Sequence, residues 1–132
     1  MDRTRRYRYQ LWRTWSSSLP TIGFVGLNPS TADAKVDDPT LRRLIGFSQS
    51  WGFGGLVLVN LYALRATEPK TLWQVDDPIG PRTDVWLRKA LKSVDEVVIC
   101  WGRPGAKGSR AEEVLHLLKT LQLPLFCLGL NG

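Results

Sequence analysis

Histidine and cysteine are scarce in this chain of 132 residues, which contains one histidine and two cysteines. So few imidazole and thiol ligands, well separated along the sequence, argue against a zinc site or an iron–sulfur cluster. Cys100 and Cys127 each lie within an apolar run, so we interpret them as buried thiols of a cytoplasmic protein rather than as a disulfide. We expect neither a metal nor another cofactor.

Long hydrophobic runs are also absent. No apolar stretch reaches the roughly 18 residues of a transmembrane helix, and no apolar segment of a secretory signal follows the charged start MDRTRRYRYQ. We therefore expect no membrane partner. The length suits a single domain over residues 1–132, and a hydrophobic content of 43% is enough for a core. We expect this domain to be a monomer.

Positive charge is concentrated at the N-terminus. The formal net charge of the chain is +6, and five arginines against one aspartate give residues 1–13 a net charge of +4. Arginines interleaved with Tyr7, Tyr9 and Trp12 are typical of a surface that meets phosphates. The alternative is an edge strand that its arginines keep soluble, and the sequence leaves both interpretations open.

Apolar runs and their spacing predict the secondary structure. Four buried strands are predicted, at residues 21–27, 56–61, 96–101 and 123–128. Alternation over residues 5–13 predicts a further, half-buried strand that pairs antiparallel at or near an edge. Three helices are predicted. The first begins at Pro39, with Asp38 as its cap, and the second covers residues 82–93. The third runs from a Ser109–Glu112 capping box to about residue 122.

The order of these elements predicts the fold. Helices that alternate with buried strands indicate an α/β protein, a three-layer αβα sandwich around a mostly parallel four-stranded central sheet. A long loop is predicted over residues 62–81, between the second and third of the four strands. Helical spacing predicts two buried faces, formed by Leu41, Leu44, Ile45 and Ser48 in the first helix and by Val85, Trp86, Ala90 and Leu91 in the second.

Three of the predicted strands end in polar or glycine-containing loops, near Asn28, Asn60 and Trp101. The carboxyl ends of parallel strands share one edge of the sheet, where ligands bind in such folds. Pro29 favours an extended backbone at Asn28, and Gly26 permits close approach to a ligand. The Asn60 amide has one acceptor and two donors, which suit the hydrogen-bonding edge of a pyrimidine. A plain turn at Asn28 and a satisfied core amide at Asn60 are the alternatives.

Four segments together carry a resemblance to a known family: RYRYQLWRTW, GLNPSTADAKVDDPTLRR, LVLVNLYALRATEP and VVICWGRPGAKGSR. On these segments, which cover nearly the whole chain, the sequence resembles the DUF1643 family, bacterial domains of unknown function. That family in turn resembles the uracil-DNA glycosylase superfamily, whose enzymes cleave the bond between a base and its sugar. The resemblance implies a uracil-DNA glycosylase-like fold.

The resemblance also implies roles for individual residues. Asn28 matches the water-positioning residue, in the asparagine form of mismatch-specific members, and would be catalytic. Asn60 matches the asparagine that reads the base, and Trp101 and Gly102 match a Trp-Gly strand end. The implied base-binding residues are Asn60, Gly26, Leu27, Trp101 and Gly102. The candidate nucleic-acid contacts are Pro29, Ser30, Arg5, Arg6, Arg8, Arg103 and Arg110.

One superfamily feature has no counterpart in the sequence. Those enzymes place a His-Pro loop after the last strand, where it stabilises the departing base, whereas this sequence stops at residues 130–132. We expect either a truncated product or a domain that works without the loop. The predicted function is that of a DNA or nucleobase N-glycosylase-like protein that binds an extruded base. The alternative is a non-catalytic module that binds a nucleotide, a modified base or DNA.

Overall fold

The computed structural model describes residues 7–29, 39–65, 69–74, 76–102 and 109–127. The strands within these ranges are β1 (Leu11–Thr14), β2 (Thr21–Gly26), β3 (Gly55–Asn60), β4 (Glu96–Ile99) and β5 (Leu125–Cys127). The α-helices there are α1 (Pro39–Ser50), α2 (Thr83–Leu91) and α3 (Arg110–Thr120). A short 3-10 helix, Pro69–Gln74, lies within the predicted loop after β3.

The described strands form one sheet in the order β1-β3-β2-β4-β5. β2 pairs in parallel with β3 and β4, and β4 pairs in parallel with β5. β1 pairs antiparallel with β3 at the edge. This confirms the predicted mostly parallel sheet of four strands with an antiparallel N-terminal strand beside it.

Helices cover both faces of this sheet, because successive side chains of a strand point to opposite faces. We call the face packed against Leu41 and Leu44 of α1 the α1 face, and its strand residues include Ile22, Phe24 and Leu56. The opposite face, the α2–α3 face, is covered by both other helices. Its strand residues are Val25, Val57, Val59 and Val97, which pack with Leu87, Leu91, Val114 and Leu118. The three-layer arrangement is therefore confirmed.

Helix α1 agrees with its prediction. It begins at Pro39, whose fixed φ suits the first helical position. Leu41, Leu44 and Ser48 are buried and Ile45 is half-buried, while both arginines of the helix are exposed. The predicted cap, Asp38, lies outside the described residues. No helix in the described ranges is long and apolar enough to cross a membrane.

A Schellman motif ends α1. The Gly52 amide donates to the carbonyl of Gln49 at 3.2 Å, and the Phe53 amide donates to that of Ser48 at 2.9 Å. Gly52 has φ of +85°, the left-handed conformation that this motif requires. The motif places Trp51 and Phe53 on either side of a tight turn at the end of the helix.

Gly52→Ala is expected to lower the free energy of unfolding by about 1–2 kcal/mol, because a side chain is strained in the left-handed region. Gly46→Ala in α1 is the matched control, since a Cβ added there would meet no atom within 4 Å. That control is expected to stabilise the helix by about 0.5–1 kcal/mol. Urea denaturation measures both values, and equal effects of the two substitutions would contradict the assignment.

The buried face of α2 differs from the prediction at one position. Val85 is 53% exposed, whereas Leu87 is buried. Ala90 and Leu91 are buried and Trp86 is half-buried, as predicted. At about 100° per residue, Val85 lies roughly 200° around the helix from Leu87. Only one of the two can therefore face the sheet.

Helix α3 starts without the predicted capping box. The Ser109 backbone has φ of −97° and ψ of −2°, and its side chain makes no capping hydrogen bond. A capping hydroxyl reaches an amide one turn ahead when its own backbone is extended. The nearly helical backbone of Ser109 does not aim its hydroxyl in that direction, and Glu112 is exposed.

The N-terminal strand is shorter than predicted. β1 covers only Leu11–Thr14, and the predicted alternation fails before it because Tyr7, Arg8 and Tyr9 are all buried. This segment continues past β3 instead, through the Arg8 amide donating to the Ala63 carbonyl at 2.8 Å. The prediction assumed that one face of this segment is buried and the other exposed. Successive side chains are buried here instead, so the alternation in the sequence does not correspond to two such faces.

The last strand is shorter and more exposed than predicted. β5 covers Leu125–Cys127, all three residues are exposed, and residue 128 lies outside the described ranges. Cys127 is thus not a buried thiol, because β5 is an edge strand that pairs only with β4. Cys100 is more enclosed, and burial, with the Cys127 thiol as a smaller cause, raises its pKa to about 12.

Candidate functional site

The carboxyl ends of β2, β3 and β4 lie side by side. Gly26 is level with Asn60 on β3, and Val25 is level with Ile99 on β4. Backbone pairing continues beyond β3, where the Leu61 amide donates to the Gly26 carbonyl at 3.0 Å. The prediction that these three strand ends share one edge of the sheet is confirmed.

Asn60 is a buried amide, 6% exposed, at the end of β3. Its side chain makes no hydrogen bond to the described part of the chain. A Cβ added to Gly26 would lie 2.8 Å from the Asn60 Oδ1 and 3.7 Å from the Leu58 Cδ1. The absence of a side chain at Gly26 therefore makes room for the amide, and an unpaired amide of this kind is suited to a polar ligand.

Asn28 lies two residues beyond β2 and is half-buried. Its Nδ2 donates to the Pro29 carbonyl at 3.0 Å and to the Leu64 carbonyl at 3.5 Å. Because both partners are acceptors, the nitrogen rather than the oxygen must face them. These bonds fix the amide plane and connect the end of β2 with the segment that follows β3.

Trp101 shares the edge with the two asparagines but not their side of the sheet. Its ring packs with the cluster on the α2–α3 face. Asn60 lies beside Leu58, which packs on the α1 face. The sequence predicted one site containing all three side chains, and the structure separates Trp101 from Asn60 because alternate strand positions face opposite ways. Gly102 follows with φ of +68°, in the left-handed region that glycine adopts readily.

Arg110 is buried at 4% exposure and does not present its charge on the surface as a phosphate contact would. Its Nε donates to the Leu61 carbonyl at 2.7 Å, and its guanidinium pairs with the Asp84 carboxylate at 2.7 Å. The first residue of α3 thus holds the backbone immediately after Asn60 and the first turn of α2. This positioning role was not predicted.

The other predicted nucleic-acid contacts are distributed differently. Arg8 is 5% exposed, so its side chain lies inside the protein rather than on a basic surface. Pro29 is buried and Leu27 is half-buried. Arg5, Arg6, Ser30 and Arg103 lie outside the described residues, so their proposed contacts stay predictions.

Two aromatic residues near this edge were not predicted as site residues. The ring of Tyr62, two residues after Asn60, meets the ring of Trp73 edge-on, with centroids 5.5 Å apart at 87°. Trp73 lies in the 3-10 helix and is 37% exposed. Burial raises the pKa of Tyr62, and the nearby positive charge of Arg110 partly offsets this rise. The signal available in the sequence was the presence of these two aromatic residues within the long loop predicted over residues 62–81.

Helices on both faces of a mostly parallel sheet, with polar side chains at its carboxyl edge, define a doubly wound α/β domain. Residues 8–132 match the family described as protein of unknown function (DUF1643), and the chain belongs to this family. No curated protein and no solved structure matches the chain.

Proposed function

We propose that this protein binds a nucleobase at the carboxyl edge of β2 and β3. The observation that carries the proposal is the Asn60 amide, which is buried beside Gly26 and makes no hydrogen bond to the described part of the chain. Its acceptor and two donors match the edge of a pyrimidine. A bound base would supply hydrogen-bond partners for the oxygen and the nitrogen of this amide.

Stacking would complete the recognition of the base. Every base has a π-face, and stacking on an aromatic side chain contributes about 1–3 kcal/mol. Trp73 offers a partly exposed ring in contact with Tyr62, which packs with the cluster on the α2–α3 face. A base that stacks on Trp73 would therefore have to extend across the end of β3 to reach Asn60. Asn60 would then select the base by hydrogen bonding, and Trp73 would hold it without regard to its identity.

Hydrolysis of an N-glycosidic bond is the second candidate function, and the resemblance to the uracil-DNA glycosylase superfamily implies it. The geometry of Asn28 favours hydrolysis, because the two carbonyl partners of its side-chain nitrogen keep the amide in one orientation. A group that positions an attacking water must be held in this way. Asn28 would orient the water while Asn60 bonds the departing base.

The chemistry of an amide limits that reaction. The transition state of glycosidic cleavage is oxocarbenium-like, and hydrogen bonds to the leaving base stabilise its developing negative charge. An amide does not take a proton from water at neutral pH, as a carboxylate can. Extruding a base from a duplex costs a few kcal/mol more. Cleavage is therefore expected to be slow and confined to bases that leave easily.

A ligand panel tests both functions. Oligonucleotides with uracil, hypoxanthine, xanthine or a bulky modified cytosine are titrated with the protein beside the abasic oligonucleotide and free nucleotides, and alkali-labile sites are then scored. Preferential binding without cleavage supports the binding module, and binding with alkali-labile products supports the glycosylase. If no base or nucleotide binds more tightly than the abasic control, the proposal fails.

Binding to DNA is expected to depend on salt through the basic N-terminus. Glu substitutions at Arg5 and Arg6 together should weaken binding, and the salt slope should fall by about one unit for each phosphate that the arm no longer neutralises. Arg8 is left unchanged because it is buried. Glu substitutions at Arg42 and Arg43, exposed on α1, make the same change in net charge and serve as the control.

Fluorescence anisotropy at several salt concentrations measures the slope for each protein. A larger decrease in affinity for the N-terminal pair than for the α1 pair supports a phosphate-binding arm. Equal decreases would mean that only net charge matters, and no decrease would identify the arm as a solvated edge.

A further inference from the structure

A cavity among the described residues lies away from the two asparagines. It has a volume of about 330 Å³ and opens on the α1 face. Its lining includes Ile22, near the start of β2, and Val98, within β4. Neither Asn28, Asn60 nor Gly26 lines this cavity, so it is a separate site from the edge that carries the asparagines. Its volume falls within the range of small-molecule sites.

Aromatic rings make up much of the cavity wall: Trp51, Phe53 and Phe126. Trp51 is 46% exposed and stacks on Phe47, with ring centroids 5.4 Å apart at 12°. Phe126 projects from β5 and is 52% exposed. The Schellman motif at Gly52 fixes the turn between the first two rings. Trp51 and Phe126 therefore present apolar surface to an incoming ligand.

Glu96, the first residue of β4, is the one charged side chain among the described residues that line the cavity. It forms no ion pair with the described part of the chain. A carboxylate at the rim of an aromatic cavity is complementary to a positive charge, and aromatic faces attract cations as well. A neutral apolar ligand would leave this carboxylate without a partner.

We propose that this cavity binds a small organic cation with an apolar body, such as a substituted ammonium ion. The methyl or methylene groups pack on the aromatic walls and the positive centre lies between those rings and the Glu96 carboxylate. This site is independent of the base-binding edge, because no residue belongs to both. Either site can fail without affecting the argument for the other.

The test compares choline with 3,3-dimethylbutan-1-ol, which has the same shape and no charge. Cys127 also lines the cavity and is exposed, so a bound ligand should slow its alkylation. Cys100 is expected to react more slowly, because burial raises its pKa to about 12. Mass spectrometry of the alkylated peptide therefore reports occupancy of this cavity. Choline is expected to protect Cys127 at about tenfold lower concentration than the neutral alcohol.

Two variants identify the groups responsible. Glu96→Gln should weaken choline binding about tenfold and leave the alcohol unchanged, since shape and volume are kept. Trp51→Leu should weaken choline binding several-fold more than alcohol binding, because it retains apolar bulk and removes the π-face. Glu112 is exposed on α3, so Glu112→Gln serves as the control for the loss of one carboxylate. Thermal melts confirm that each variant is folded.

Three results would overturn the proposal. Equal protection by choline and the alcohol would show an apolar surface without preference for charge. Unchanged choline binding in Glu96→Gln would remove the carboxylate from the site. Absence of saturable protection by either compound, measured at several concentrations in the folded protein, would show that the cavity does not bind such ligands.

Discussion

Replacing Asn60 with alanine is expected to weaken nucleobase binding about tenfold to hundredfold. Good polar readout of a base contributes about 1–3 kcal/mol, and the alanine removes the acceptor and both donors. The substitution should cost little stability, because the amide makes no hydrogen bond to the described part of the chain. Binding titrations and thermal melts on the same preparations measure the two effects.

A loss of about 1–3 kcal/mol in stability, with no specific loss of base affinity, would contradict this expectation. Asn60 would then be a core amide whose role is structural. The same measurements on Asn28→Ala separate the two functional candidates. If Asn28 orients water, its loss abolishes turnover and leaves binding largely intact. If the protein only binds, Asn28→Ala changes affinity or nothing, and the unmutated protein forms no abasic product.

Gly26→Ala tests the same amide without removing it. The new methyl group would lie 2.8 Å from the Asn60 Oδ1, which is closer than contact allows, so the flexible amide must move. Base affinity is expected to fall by a similar tenfold to hundredfold, while the fold persists because only a side-chain end is displaced. Unchanged affinity in this variant would show that the amide's position does not determine binding.

The second large effect is expected from Arg110→Met, which should lower the free energy of unfolding by about 2–3 kcal/mol. Hydrogen bonds to charged groups contribute about 1.5–3 kcal/mol, and the change leaves the Leu61 carbonyl without its donor. Methionine keeps much of the buried apolar volume, so the decrease reports the polar interactions. Base affinity should also fall, since Leu61 follows Asn60 directly.

Asp84→Asn is the matched variant for the ion pair that Arg110 also makes. Asp84 is 56% exposed, and an exposed ion pair contributes about 0–1 kcal/mol. We therefore expect a small loss of stability, measured by urea denaturation beside Arg110→Met. If both substitutions cost the same, the ion pair rather than the Leu61 carbonyl would be the important partner.

Much of the architecture could be predicted because its signals are local. Apolar runs located the strands, Pro39 marked the start of α1, and the parallel order placed Asn28 and Asn60 at one edge. The prediction of buried residues was wrong where the helical spacing allowed two different faces to be buried. Val85 and Leu87 are both apolar in the same helix, and only packing against the sheet decided which was buried.

The sequence by itself determined the alternation of helices and strands, the parallel sheet and the edge that carries the asparagines, since each depends on periodicity or on chain order. Tertiary structure alone decided that Arg110 is buried, because its carbonyl partner Leu61 is 49 residues away along the chain. It also decided that Trp101 faces away from Asn60 and that β5 is exposed at an edge. These outcomes depend on which residues distant in sequence come into contact, and such contacts cannot be predicted from the residue types of one segment.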